Sequence, residues 1–118
     1  MTVFVGENDT APVINGILGT LNDKNVFDNA SATAVTIAGA TVRFHMLDSS
    51  GTVKVDSAAT NTEDAAGDTG EVTYSWDAAD TDTSGWFKGE FEVTFADGTI
   101  QTYPNQSKIP ILISGDIA

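Results

Sequence analysis

The stretch from Gly85 to Pro104, GWFKGEFEVTFADGTIQTYP, constrains the chain more than any other. Phe87, Phe91, Val93 and Phe95 fall on odd positions, with Lys88, Glu90, Glu92 and Thr94 between them. Successive side chains of a strand point to opposite faces, so this alternation predicts a half-buried strand. Asp97-Gly98 interrupts it, and Asp-Gly between alternating hydrophobes predicts a tight type I′ hairpin turn. The register that follows sets Ala96 opposite Thr99, Phe95 opposite Ile100 and Val93 opposite Thr102. Phe95 and Ile100 then share the core face. A lone hairpin is not stable in water, so the rest of the chain must supply a second layer.

With 118 residues the chain is expected to form one domain, 1–118, with a short N-terminal arm. It has no cysteine, which excludes disulfides and thiolate metal sites. Seventeen acidic residues against five basic ones give a net charge of −12. Such a surface repels nucleic acid and anionic membranes, so neither is expected as a partner. The charge reads either as a solubility device or as a means of docking onto a basic partner. No apolar run reaches the ~20 residues of a membrane helix. Residues Met1 to Thr10 have no basic region and are interrupted by Glu7 and Asp9, so no signal peptide is expected, and a product made in the host cytoplasm would leave a cell by a route other than secretion.

Other segments repeat the strand signature. Val3 and Val5 share a face in a short strand or arm, and Ala11 to Leu21 predicts a longer strand. Asn15-Gly16 within it reads as a tight turn, or else Gly16 marks a bulge or close packing in a strand with an irregularity. Asn22 to Ala34 is polar and predicts a surface loop, with Val26 and Phe27 either tucked against the sheet or exposed as an apolar tip. Thr41 to Leu47 predicts a strand with Val42, Phe44 and Met46 inward, followed by the turn Asp48 to Gly51 and a return strand carrying Val53 and Val55. Ala58 to Thr69 reads as a loop or crossover. Gly70 to Trp76 predicts a strand with Val72, Tyr74 and Trp76 inward, and Asp77 to Ser84 a turn or one helical turn. Ile109 to Ile113 closes the chain as a strand, expected at an edge or a bulge because Pro110 cannot donate to a ladder. Short strands at regular spacing, with no 3.6-residue period, predict an all-β, immunoglobulin-like β-sandwich of about seven or eight short strands, or else a partly closed barrel.

Few residues suggest chemistry. His45 is the single histidine; at an outward position beside Arg43 it reads as a solvated side chain rather than a general base. No nucleophile–base pair is apparent, so no catalytic residues and no enzymatic activity are expected. The acidic groups Glu63, Asp64 and Asp68, and Asp77, Asp80 and Asp82, do not match the calcium-loop pattern, and aspartate is a common turn residue. No metal or other cofactor is expected. Trp76 lies in an inward row, whereas Trp86 is out of phase with Phe87, which leaves it partly exposed and open to a sugar. Asn8-Asp9-Thr10, Asn29-Ala30-Ser31 and Asn105-Gln106-Ser107 match the glycosylation pattern by coincidence in a chain without a signal peptide.

The runs GATVRFHMLDSSGTVKVDSAA and TGEVTYSWDAADTDTSGWFKGEFEVTFADGTIQTYP resemble small immunoglobulin-like domains of tailed-phage virions. Within that group the similarity is to the N-terminal domain of phage baseplate upper proteins. It covers Gly39 to Ile113 and is carried by Gly39, Phe44, Gly51, Gly70, Val72, Tyr74, Gly85, Phe91, Phe95, Asp97 and Gly98, all turn or core positions. The resemblance implies a non-enzymatic virion structural protein of the tail, baseplate, neck or head surface. Its implied partners are other phage virion proteins and further copies of itself around a symmetry axis. The Asn22 to Ala34 loop is longer than in that family, and no coiled-coil or receptor-binding region is expected, so a tail, neck or head-surface component is expected rather than a complete baseplate arm. The segments expected to make the contacts are the apolar termini, Val3 and Val5 with Ile111 and Ile113, together with Val26, Phe27 and Trp86. The other reading is a module that binds carbohydrate on a host surface, through Trp86 and the loops beside it.

Overall fold

A computed structural model describes residues 2–28, 31–61, 70–105 and 107–115. Among these the chain forms ten strands: β1 (Val3–Gly6), β2 (Ile14–Leu21), β3 (Lys24–Phe27), β4 (Thr33–Ala34), β5 (Thr41–Asp48), β6 (Val53–Asn61), β7 (Glu71–Tyr74), β8 (Gly85–Thr94), β9 (Ile100–Tyr103) and β10 (Ile109–Ser114). One 3₁₀ turn, Ala78–Thr81, joins β7 to β8. The all-β architecture is the one the alternation predicts. The acidic residues Glu63, Asp64 and Asp68, and residues 29, 30 and 106 of two of the glycosylation motifs, lie outside the described residues.

The strands make one curled sheet in the order β1-β10-β8-β5-β6-β7-β2-β3, which folds over to give two facing layers. The front layer is β1-β10-β8-β5-β6, and β9 extends it along the same edge of β8 as β10. The back layer is β7-β2-β3 with β4. β6 belongs to both: its residues up to Ala59 pair with β5, and Thr60 and Asn61 pair with β7. On the far side Asn25 of β3 donates to the Gln101 side chain and to the Thr102 carbonyl of β9, which draws the two layers together.

Aromatic residues fill the space between the layers. Phe44 stacks on Tyr74 with ring centroids 4.6 Å apart, and it meets Phe91 at 5.2 Å and the edge of Trp76 at 5.7 Å. Phe44, Tyr74 and Phe91 come from inward positions of their strands, and Trp76 lies just past β7. Burial raises the Tyr74 phenol well above its usual value, and the Asp80 carboxylate that accepts its proton adds to the effect.

Four expectations are corrected. First, the Asp97-Gly98 hairpin has a three-residue loop. Gly98 N donates to Phe95 O and Phe95 N to Thr99 O, which makes Ala96 and Asp97 the centre of an ordinary turn with Gly98 at φ +90° behind it. The Asp97 carboxylate fixes this turn by accepting from Thr99 N and Oγ1. Thr94 therefore faces Ile100 and Val93 faces Gln101. The one-residue shift turns Ile100 outward, 60% exposed, away from the core it was expected to share with Phe95.

Second, Asn22 to Ala34 is not a plain loop. Asn22 and Asp23 both take positive φ, the geometry of a two-residue primed turn, and β3 returns along β2 with Leu21 opposite Lys24. Third, Ile109 to Ile113 is not an edge strand, and β1 takes the edge instead. β10 lies between β8 and β1, and β1 runs parallel to it from the pair Val3–Ile111 to the pair Gly6–Ser114. That ladder starts one residue past Pro110, so the missing N–H removes no bond from it. Fourth, β3 and the two-residue β4 raise the count among the described residues from seven or eight strands to ten.

Candidate functional site

Even-numbered residues of β8 point out of the front layer, since Phe87, Gly89, Phe91 and Val93 are buried. Trp86 is therefore outward and 56% exposed. Opposite it on β10 stands Leu112, and opposite Leu112 on β1 stands Phe4, which is 60% exposed. Three strands thus place an apolar row, Phe4–Leu112–Trp86, on the surface. Two residues further along β8, Lys88 stands between Pro110 of β10 and Leu47 of β5. Leu47 in turn faces Val53 of β6.

That last pairing depends on a bulge. Met46 pairs with Val55 but Leu47 pairs with Val53, leaving Lys54 as an extra residue. Val53 then joins the outward row, 60% exposed, and the Lys54 ammonium is drawn aside to Asp82 at 2.5 Å. The second row reads Pro110–Lys88–Leu47–Val53. The two rows hold six apolar side chains around one cation and no carboxylate. Lys88 makes no ion pair among the described residues.

A charged row borders this patch. Lys108 Nζ is 2.8 Å from Glu90 Oε1, His45 Nδ1 is 3.6 Å from Glu90 Oε2, and His45 Nε2 is 3.1 Å from Asp56 Oδ1. Arg43 Nε donates to the same Asp56 oxygen at 2.9 Å, and this holds the Asp56 carboxyl below its usual range. Together with Leu47, Val53 and Lys88 these side chains line a hollow of about 290 Å³. His45 is thus tied into a network, not freely solvated as its position suggested. Each ring nitrogen faces a carboxylate, Glu90 at Nδ1 and Asp56 at Nε2.

Among the described residues no three histidine, cysteine, aspartate or glutamate side chains are grouped to hold a metal ion. The Asp77 loop uses its carboxylates internally. Asp80 accepts from Tyr74 Oη and Asp77 N, and Asp82 accepts from Lys54 and Thr83.

Of the residues singled out from the sequence, only Trp86 lies on the exposed patch. Val3, Val5, Ile111 and Ile113 are buried, because odd positions of β1 and β10 face the core, and they cannot form a docking strip. The outward positions beside them, Phe4 and Leu112, are the ones that face away from the core. The signal for this was present: VFV and ILI are apolar on both phases, which a strand with one wet face does not need. Phe27 stacks on Phe91 at 5.3 Å and covers Gly16, where a Cβ would come within 2.4 Å of its ring. It is tucked in, and half-buried Val26 beside it leaves no apolar tip. Gly16 is accordingly a close-packing glycine. Leu47, Val53 and Lys88 were missed because the bulge that brings Val53 into line has no marker in the sequence.

No family model and no curated protein matches this chain. Among solved structures it is similar to CopC from Methylosinus trichosporium OB3b, with a TM-score of 0.50 and 15% identity over 99% of this chain and 87% of that one. At that identity the likeness bears on the fold, and it supports the all-β architecture.

Proposed function

We propose that this chain is a non-enzymatic structural protein of a tailed-phage virion that docks on other virion proteins through the outward face of its front layer. The observation that carries the docking reading is the pair of apolar rows crossing five strands on the surface of a protein with net charge −12. Surface hydrophobes scattered singly need no explanation, but a contiguous patch rimmed by charge marks an interaction site. The resemblance to phage immunoglobulin-like domains supplies the setting. A strongly charged remainder keeps such a domain soluble until it assembles.

The test combines imaging and substitution. Antibody against the protein should decorate virions in negative stain, and Trp86→Ala with Phe4→Ala should leave the fold intact while abolishing incorporation into particles. Undecorated virions would overturn the setting, and normal incorporation of the double variant would overturn the face. The exposed indole of Trp86 also favours the second reading, a carbohydrate-binding module. Quenching of Trp86 fluorescence by oligosaccharides from a host surface, lost in Trp86→Ala, would decide for it.

A further inference from the structure

The patch has a charge sign opposite to that of the molecule. Lys88 stands among apolar side chains without an ion pair. Covering it with a purely apolar partner would strip an ammonium of water, which is costly, since Glu90 and Asp56 in the adjoining hollow are already engaged by Lys108, His45 and Arg43. A basic partner, the choice that net charge alone suggests, would add like-charge repulsion. The occupant must bring a carboxylate set among apolar groups.

The back layer of this chain carries such a surface. Ile17, on the outward side of β2, and Val13, just before that strand, are each 43% exposed, with Asn15 between them donating to Thr73 Oγ1. Glu71 of β7 stands directly opposite Ile17, and Asp28 lies on the other side, its N–H donating to the Ile17 carbonyl at 2.7 Å. Glu71 has no ion pair among the described residues. The front patch is apolar with a central cation, and the back face sets exposed Ile17 between two acidic residues, Glu71 and Asp28. They look in opposite directions, because the inner faces of their layers meet at Phe44 and Tyr74.

We infer that the front patch receives the back patch of a second copy of this chain, with Lys88 of one copy pairing with Glu71 of the next. This rests on the reading of the front patch as a docking surface. Since the two patches differ, the contact is heterologous, and it repeats from copy to copy into a ring or a stack rather than ending at a dimer. The net charge does not forbid it: charges beyond about 8 Å are largely screened at physiological ionic strength, while a pair inside a contact is screened far less.

Sedimentation velocity on the full chain, from micromolar to millimolar protein, tests the inference. Species beyond the dimer should accumulate with concentration. Lys88→Glu and Glu71→Lys should each weaken association by about tenfold or more, with far-UV circular dichroism unchanged. Mixing the two variants in equal amounts should restore association, because each then supplies the face the other lacks. A chain that stays monomeric, that stops at a dimer, or whose mixed variants do not associate overturns the inference. The docking reading is judged separately, by incorporation of the Trp86→Ala and Phe4→Ala double variant, and it survives if self-association fails while that variant is excluded from particles.

Discussion

Gly98 shows at the scale of one residue what a turn demands. Its φ of +90° lies where a side chain is strained, although a Cβ there would meet nothing within 4 Å. The cost of Gly98→Val is therefore backbone strain alone, about 1–2 kcal/mol, read as a lowered midpoint in urea. An unchanged midpoint would mean the loop relaxes freely. The aspartates that brace turns and pairs predict the acid limb of stability. Hydrogen bonds from Ser50 and Thr52 to Asp48, from Arg43 to Asp56, from Lys54 to Asp82, and from Thr99 to Asp97 all lower these carboxyls below 3.8. Groups with depressed folded values contribute stability above the unfolded value and lose it as pH falls through the folded one. Unfolding free energy should thus be level above about pH 5 and fall as pH drops below about 4. A protein equally stable at pH 2 and pH 6 would contradict this. The Asp97-Gly98 turn was legible in the sequence, but its extra residue was not, because the same dipeptide serves two-residue and three-residue loops.

At the scale of the element, β8 was legible throughout, since strict alternation leaves one choice of buried face. Phe91 is fully buried against Phe27 and Phe44. Phe91→Ala should cost about 3–5 kcal/mol, as large-to-small core substitutions do, and a melting temperature equal to that of the wild type would refute the packing described. β1 was legible as a strand but not as a core strand. Its parity could not be set without its neighbour, and a slip of one residue exchanges Val3 and Val5 for Phe4. Deleting residues 1–6 should now unfold or strongly destabilise the domain, because it removes two core side chains and the ladder to β10. A truncated chain with native thermal stability would restore the view of a detachable arm. β3 escaped notice because Asn22-Asp23 is a less common primed turn than Asn-Gly, and its strand is only four residues long.

On the scale of the whole molecule, the sequence indicated an all-β layered body, and the exposed apolar patch was legible only at Trp86. The rest of the patch is assembled from five strands that are distant in sequence, so it exists only once the register is known. The parallel pairing of β1 with β10 has a mechanical consequence. The chain enters this ladder at the Val3 end and leaves it at the Ser114 end. Tension applied at Thr2 and Gly115 therefore slides the two strands along each other and loads every bond between them at once. Tension applied at Glu7 and Gly115 peels them apart from one end, bond by bond. The absence of native cysteine lets thiol handles be installed at either pair of sites alone. Single-molecule stretching should need a distinctly larger force through Thr2→Cys and Gly115→Cys than through Glu7→Cys and Gly115→Cys, since forced unfolding reports the barrier along the direction pulled. Equal forces would mean that the ladder is not what bears the load. A domain built this way resists being drawn out lengthwise far better than being unzipped.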